Sequence, residues 1–423
     1  MKNRYARLIF TLFFLLGTTA GFAESRAPEI DLDQLLEVAL ANNSELKAAE
    51  YRWQLYEHKV PQAGVLSDPF LSFGLSNYPV DSWTANETAM SGKILKLTQD
   101  FPFPGKLSAQ KEKSQQQALW YREVYEDGKL QLAWRVKDAF YALAFSEQAL
   151  KITRKNIALL DDFIRLTETN YEIGKGLQQD VLKAQVERSK LIDRTYLYTK
   201  QLERAVADLR NLTNQELTAP LAELPVVEPT RLNTPIEELL QSFENARPIF
   251  SAYRALIEQN KLQKKLAGLD YKPNFKLGVS YTFREPNLAD DGTDFAGVEF
   301  GLNIPIFIDK RKAAVFEAEA AVNMAEQQLA NQRNSVQLNI RDAFLRIRQS
   351  QQQVELYKNG LIPQAAQTFE ASLSGYQVGK VDFLALLDSQ RTVYDYELEY
   401  NRVLTDGQRA LARLQAETGL PNL

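Results

Sequence analysis

The sequence predicts a mainly helical fold with a small β part, built from an internally duplicated pair of long helical hairpins. Three observations predict it. Short segments repeat at an offset of about 204 residues along the 423-residue chain. Four stretches alternate apolar and polar residues with period two, as strands with one apolar face do. Two much longer stretches carry apolar residues at 4–3–4 spacing, as packed helices do.

The repeat sets the organisation. Asp31-Leu-Asp-Gln34 leads into LLEVALANNSELKAA, and Thr234-Pro-Ile-Glu237 leads into LLQSFENARPIFSAY. Both read as capping boxes, with Asp31 and Thr234 at the N-cap and Pro235 at the first helical position. Asp68-Pro69 matches Lys272-Pro273, Asp138-Ala-Phe140 matches Asp342-Ala-Phe344, and Tyr171-Glu-Ile-Gly-Lys175 matches Tyr376-Gln-Val-Gly-Lys380. The predicted division is a signal peptide over 1–23, a first repeat over 24–225 and a second over 226–423, with the Pro-containing stretch from Leu221 to Pro235 as linker.

Within the first repeat, strands are expected near 69–77 and 93–101 and a helical hairpin over about 106–213. Within the second, strands are expected near 274–284 and 296–305 and a hairpin over about 310–418. Phe275, Leu277, Val279, Tyr281 and Phe283 alternate with Lys276, Gly278, Ser280 and Thr282. Leu71, Phe73 and Leu75 alternate with Ser72, Gly74 and Ser76; the stretch around Leu95 and Leu97 is less regular. Strands of this length and pattern suit a transmembrane barrel, although they also suit a soluble β-meander. Four cannot close a membrane barrel alone, so a barrel demands several chains.

The helical parts are long. From Leu107 to about Asn170 there is one glycine and no proline, which allows a helix of roughly 95 Å. Leu132, Val136, Ala139 and Leu143 share their spacing with Val336, Ile340, Ala343 and Ile347. A kink is expected in the second long helix near Gly360 and Pro363. Each long helix should end at a Tyr-x-x-Gly turn, at Gly174 and Gly379.

Composition narrows the function. Lys2, Arg4 and Arg7 precede the apolar run Leu8–Leu16, and small residues before Glu24 offer a cleavage site, the pattern of a secretory signal. That run is too short to span ~30 Å of hydrocarbon. Cysteine is absent, which excludes disulfides, thiolate metal sites and an N-terminal lipid-modified cysteine. A net charge of −4 gives no footprint for nucleic acid. His58 is the only histidine, and no nucleophile–base pair is visible, so the chain reads as a non-enzyme without a cofactor. Met90 and Met324 alone remain after the signal, too few for a thioether relay that would hold copper or silver.

These features resemble the TolC-like outer-membrane factor (outer membrane efflux protein) family over essentially the whole mature chain. The motifs are the duplicated plan and the paired turns YEIGKGLQQDV and YQVGKVDFLALLDSQ. The stretches Gln99–Leu107 and Ser67–Trp83 resemble the heavy-metal cation-efflux branch. The resemblance implies a homotrimer with one twelve-stranded outer-membrane β-barrel and an α-barrel tunnel reaching into the periplasm. It implies a periplasmic adaptor (membrane fusion) protein and an inner-membrane pump of the resistance-nodulation-division (RND) type as partners.

By motif position it also implies a gate at the hairpin ends. Asp180 matches the family's linking aspartate, Tyr376 its linking tyrosine and Asp388 a pore-facing aspartate. The companion carboxylate position holds Ala385 and the basic linking position Val381, leaving Lys183 and Lys380 as substitutes. Tyr171, Gly174, Lys175 and Gly379 mark the turns expected to meet the adaptor. Asp382 reads as a helix cap. Asp388 reads equally as pore lining or as an ordinary solvated carboxylate. The functional expectation is an efflux exit duct for heavy-metal cations. Export of drugs or proteins by the same kind of duct, and a periplasmic coiled-coil scaffold, stay open beside it.

Overall fold

The computed structural model describes residues 31–215, 227–287, 291–421 and 423. The expected signal peptide and the linker residues 221–226 lie outside them. The first repeat runs α1 (Leu32–Asn42), α2 (Ser44–Ala63), β1 (Phe70–Ser76), β2 (Gly92–Phe101), α3 (Lys106–Glu172) and α4 (Gln178–Thr213). The second runs α5 (Ile236–Ala246), α6 (Pro248–Leu269), β3 (Phe275–Arg284), β4 (Phe295–Leu302), α7 (Ile308–Leu356), α8 (Ile362–Gln377) and α9 (Phe383–Thr418).

At ~1.5 Å per residue, the 67-residue α3 is about 100 Å long. The sheet joins its N-terminal end and the Gly174 turn its C-terminal end. The four strands form one antiparallel sheet in the order β1-β2-β3-β4. Its central pair, β2 with β3, is made between the two repeats.

Burial follows the duplication. Leu132, Val136, Ala139 and Leu143 of α3 pack with Leu35 and Ala39 of α1 and Leu209 of α4. Val336, Ile340, Ala343 and Ile347 of α7 pack with Leu239 and Phe243 of α5 and Leu414 of α9. Each fully buried large side chain contributes about 1.5–3 kcal/mol. A third cluster joins the two hairpins near their turns: Leu160 and Phe163 of α3, Leu191 of α4, and Phe383, Leu386 and Tyr394 of α9.

Between α5 and α6, Arg247 is buried with its charge compensated. Its Nε donates to Asp127 Oδ1 at 2.8 Å and its Nη1 to Glu417. Glu417 also accepts from Asn339 Nδ2 at 3.0 Å and pairs with Arg413. This one cluster ties the α5–α6 junction to α3, α7 and α9.

Two local expectations change. Asp31 caps α1 through the N–H of Asp33 at 3.3 Å, but Thr234 caps nothing, because Pro235 itself occupies the N-cap of α5. Its fixed φ, −64° here with an extended ψ, shifts the helix start by one residue. The second changes only in form, since the interruption expected near Gly360 and Pro363 is there. The helix widens into a π-turn over Tyr357–Leu361, and the Ile362 N–H donates to Tyr357 O. A proline ring collides with the carbonyl four residues back, and a wider turn relieves that collision without ending the helix.

Candidate functional site

The two hairpin turns are copies of one backbone motif. Gly174 has φ +72° and Gly379 φ +71°. The Gly174 N–H donates to Tyr171 O at 3.0 Å, and the Lys175 N–H to Asn170 O at 2.8 Å. The Gly379 N–H donates to Tyr376 O at 3.0 Å, and the Lys380 N–H to Gly375 O at 2.8 Å. A Cβ at either glycine would meet nothing within 4 Å. The requirement for glycine is therefore in the backbone, since the left-handed region costs other residues energy. Around the turns Tyr171, Ile173, Leu177, Val378 and Leu384 stand exposed, Val378 by 68%. Lys175 and Lys380 are exposed beside them.

The predicted gate residues divide. Tyr376 is half-buried, edge-on to Phe383 at 5.7 Å, and its hydroxyl accepts from Asn170 Nδ2 at 3.2 Å. Asp180 and Lys183 stand one turn apart on the first part of α4, both half-buried. Neither Asp180 nor Lys380 makes a side-chain hydrogen bond or ion pair with Tyr376 among the described residues of the protomer. Asp388 is exposed on α9. Asp382 caps α9 by accepting from the Ala385 N–H at 2.7 Å. His58 is exposed on α2.

A polar layer that motif matching missed runs between the hairpins. The buried Thr153 and Tyr394 hydroxyls bond at 3.1 Å, and Gln390 Nε2 donates to Asn156 Oδ1 at 2.6 Å. Arg194 pairs with Asp395 across the hairpins at 3.4 Å, and within the first hairpin Arg188 pairs with Asp161 at 2.5 Å. Burial, with Tyr394 alongside, pushes the Tyr198 hydroxyl up to about 12. A signal was available: Thr153, Asn156, Leu160, Phe163 and Thr167 continue the buried 3–4 spacing of α3, and polar residues at such positions fix the register of packed helices. Among the described residues no group of three or more His, Cys, Asp or Glu is placed to hold a metal ion.

At the other end the sheet has two unlike faces. Phe73, Leu95, Tyr281 and Ala296 follow one another across the register, as do Leu71, Leu97, Val279 and Val298. This face is apolar and exposed, Val298 by 79%. The opposite face carries Ser72, Gly74, Lys96, Asp100, Lys276 and Glu299, with Lys96 paired to Glu299 and Lys276 to Asp100 at 3.5 Å. No helix among the described residues is long and apolar enough to cross a membrane.

A short sheet with an apolar outer face, mounted on helical hairpins about 100 Å long, defines the class of outer-membrane efflux channels. The chain belongs to the outer membrane efflux protein family, whose profile matches residues 35–215 and 239–420. It is 22% identical over 406 residues to the cobalt-zinc-cadmium resistance protein CzcC of Cupriavidus metallidurans, covering 94% of this chain and 92% of that one. It is 24% identical over 414 residues to the pyoverdine export outer membrane protein OpmQ of Pseudomonas putida, covering 92% and 84%. Among solved structures, CusC superposes with a TM-score of 0.79 at 17% identity, covering 99% of both chains. The outer-membrane channel OprN gives 0.78 at 19%, covering 92% and 89%. The fold is that of these channels.

Proposed function

We propose that the protein is a passive conduit, the exit duct of a tripartite efflux system, with heavy-metal cations as its cargo. The observation that carries the conduit is the sheet. Among the described residues both edges lack a partner, one face is apolar and the other holds ion pairs. Lipid tolerates neither an open edge nor a charged outer face. Three copies would pool twelve strands into one barrel with Lys96, Glu299, Lys276 and Asp100 lining water.

The helices would then form a periplasmic tunnel. Its narrow end would lie at the turns, with Asp180, Lys183, Tyr376, Lys380 and Asp388 as gate residues. The apolar turns at Tyr171, Gly174, Lys175 and Gly379 would seat a periplasmic adaptor, and an RND-type pump would supply the driving force. Metal cargo is supported by the similarity to CzcC across nearly the full chain. The similarity to OpmQ favours pyoverdine export as the second reading.

Mass photometry of protein extracted from the outer-membrane fraction should give three chains, and planar bilayers should show discrete conductance. A deletion strain should become sensitive to divalent zinc, cobalt or cadmium. Gly174→Val with Gly379→Val should fail to restore resistance while trimers persist. A folded monomer in membranes overturns the conduit. Unchanged metal tolerance with lost pyoverdine export overturns the cargo. Full resistance with both valines overturns docking at the turns.

A further inference from the structure

Each edge of this protomer has a repeat-related counterpart already paired inside the chain, so the missing seam is written in the existing one. β2 of the first repeat pairs with β3 of the second, Leu97 opposite Val279 and Leu95 opposite Tyr281. The repeat partner of β2 is β4, through Phe101-Pro102 and Ile304-Pro305. The partner of β3 is β1, through Asp68-Pro69 and Lys272-Pro273. We propose that β4 pairs antiparallel with β1 of the partner subunit with Gly301 opposite Gly74, Phe300 opposite Leu75 and Leu302 opposite Phe73. This rests on the trimeric reading above and gives it a register.

Two physical checks support the register. The first is facing. A slip by one residue would place every apolar side chain of one strand beside the polar face of the other. In the proposed register Phe300 and Leu302 meet Leu75 and Phe73 on the apolar face, and the two glycines meet on the charged one.

The second is closure. A path across the sheet runs from Phe73 to Leu95, Tyr281 and Ala296. Across the proposed seam it returns to the β1 line at position 79. Three such returns give a stagger of about eighteen residues of ~3.3 Å over twelve spacings of ~4.8 Å, which tilts the strands by about 45°. Membrane barrels tilt by roughly 35–45°. Pairing Gly301 with Ser76 demands about 54° on the same arithmetic. Pairing it with Ser72 gives about 35° but breaks the correspondence of Pro102 with Pro305.

The helices carry an independent observation. Inside the chain α3 lies against α6, where Lys113 Nζ donates to Gln263 Oε1 at 2.7 Å. At the offset of 204 that Asp138 and Asp342 set along the helices, one more than between β2 and β4, the repeat positions of these two residues are Glu317 on α7 and Lys59 on α2. Both are exposed, neither forms an ion pair among the described residues, and they carry opposite charge. Glu112, paired with Lys265 at 3.9 Å, maps to Phe316, and Lys265 maps to Pro61. A salt bridge inside the chain is thus exchanged for an apolar contact, and a lysine–glutamine hydrogen bond for a pair of opposite charges. The α7–α2 seam between subunits would join Glu317 to Lys59 of the partner subunit and Phe316 to Pro61 of the partner subunit.

The chain has no cysteine, which makes the test direct. Gly74→Cys with Gly301→Cys is treated in outer membranes with a short bifunctional methanethiosulfonate reagent. Ser72→Cys with Gly301→Cys and Ser76→Cys with Gly301→Cys serve as register controls. A Cβ fits at both glycines, meeting nothing within 4 Å at Gly74 and only Lys276 Cβ at 3.6 Å at Gly301. The Gly74/Gly301 pair should give covalent trimers in several-fold higher yield than either control. Lys59→Cys with Glu317→Cys should link as well, and Lys59→Cys with Glu319→Cys should not. A control pair that links better overturns the register. So does failure of every pair in a preparation that mass photometry shows to be trimeric. A preparation with no trimers overturns the conduit reading and the seam with it.

Discussion

Arg247 is 5% exposed, between two carboxylates that are themselves 10% and 2% exposed. Burying an arginine is tolerable here because its planar fork meets Asp127 and Glu417 at once, and Arg413 and Asn339 satisfy what Glu417 has left. Removing one member of such a cluster leaves charge stranded away from water, at a cost of about 3–5 kcal/mol. Arg247→Ala should therefore lower the urea midpoint of the helical circular-dichroism signal by that equivalent. A loss below about 1 kcal/mol would mean that water reaches the carboxylates.

Three copies of Asp388 around the axis would repel one another and draw in cations. Asp388→Ala should then weaken cation selectivity and multivalent-cation block in bilayers. Asp180→Ala should raise open-state conductance if Asp180 tethers neighbouring helices. Unchanged selectivity would make Asp388 a solvated helix residue, and unchanged conductance would place the tether elsewhere, with the Asn170–Tyr376 bond the nearest alternative.

Helix phase is the issue at the scale of elements. Asp138 and Asp342 correspond at one offset, but Tyr171 and Tyr376 correspond at an offset one residue larger. The π-turn at Tyr357–Leu361 lies between Asp342 and Tyr376, and a π-turn is how a helix absorbs one extra residue while keeping its phase beyond it. The first repeat has no such residue, and α3 runs uninterrupted. Deleting Gly360 should remove the extra residue and leave a kink at Pro363 in place of the π-turn, with trimers and helical content retained. Deleting the exposed Lys151 should instead rotate the end of α3 by about 100° and turn Leu160 and Phe163 out of the cluster that joins the hairpins. Trimer yield on a native gel separates the two. Equal loss in both would show that the π-turn is not the compensating insertion.

Over the whole molecule, what was legible in the sequence follows from periodicity. The strand over Phe275–Arg284 reads plainly because every second residue from Phe275 to Phe283 is apolar. β2 reads poorly because Lys93 and Gln99 share the apolar face and Ile94 lies on the other. The helical cores were readable from Leu132 and Val336 onward, since their spacing is set by contacts with neighbouring helices. The Asn170–Tyr376 and Asn156–Gln390 contacts were not, because they depend on how two hairpins far apart in sequence lie side by side. The gate residues came from motif position alone, and among the described residues only Tyr376 of that set makes a bonded contact across the hairpins.

The pairing of β2 with β3 also bears on the order of events in the cell. A strand finished early in the chain, at Phe101, must wait for one that starts at Phe275, with the whole first hairpin emerging in between. Contacts so distant along the chain form slowly. Even then, among the described residues, the sheet has two open edges. In the trimeric reading, barrel closure is the last step of biogenesis and a meeting of three finished chains. Its rate should climb steeply with the concentration of protomers delivered to the membrane, and sparse expression should leave edge-exposed chains to chaperones and proteases.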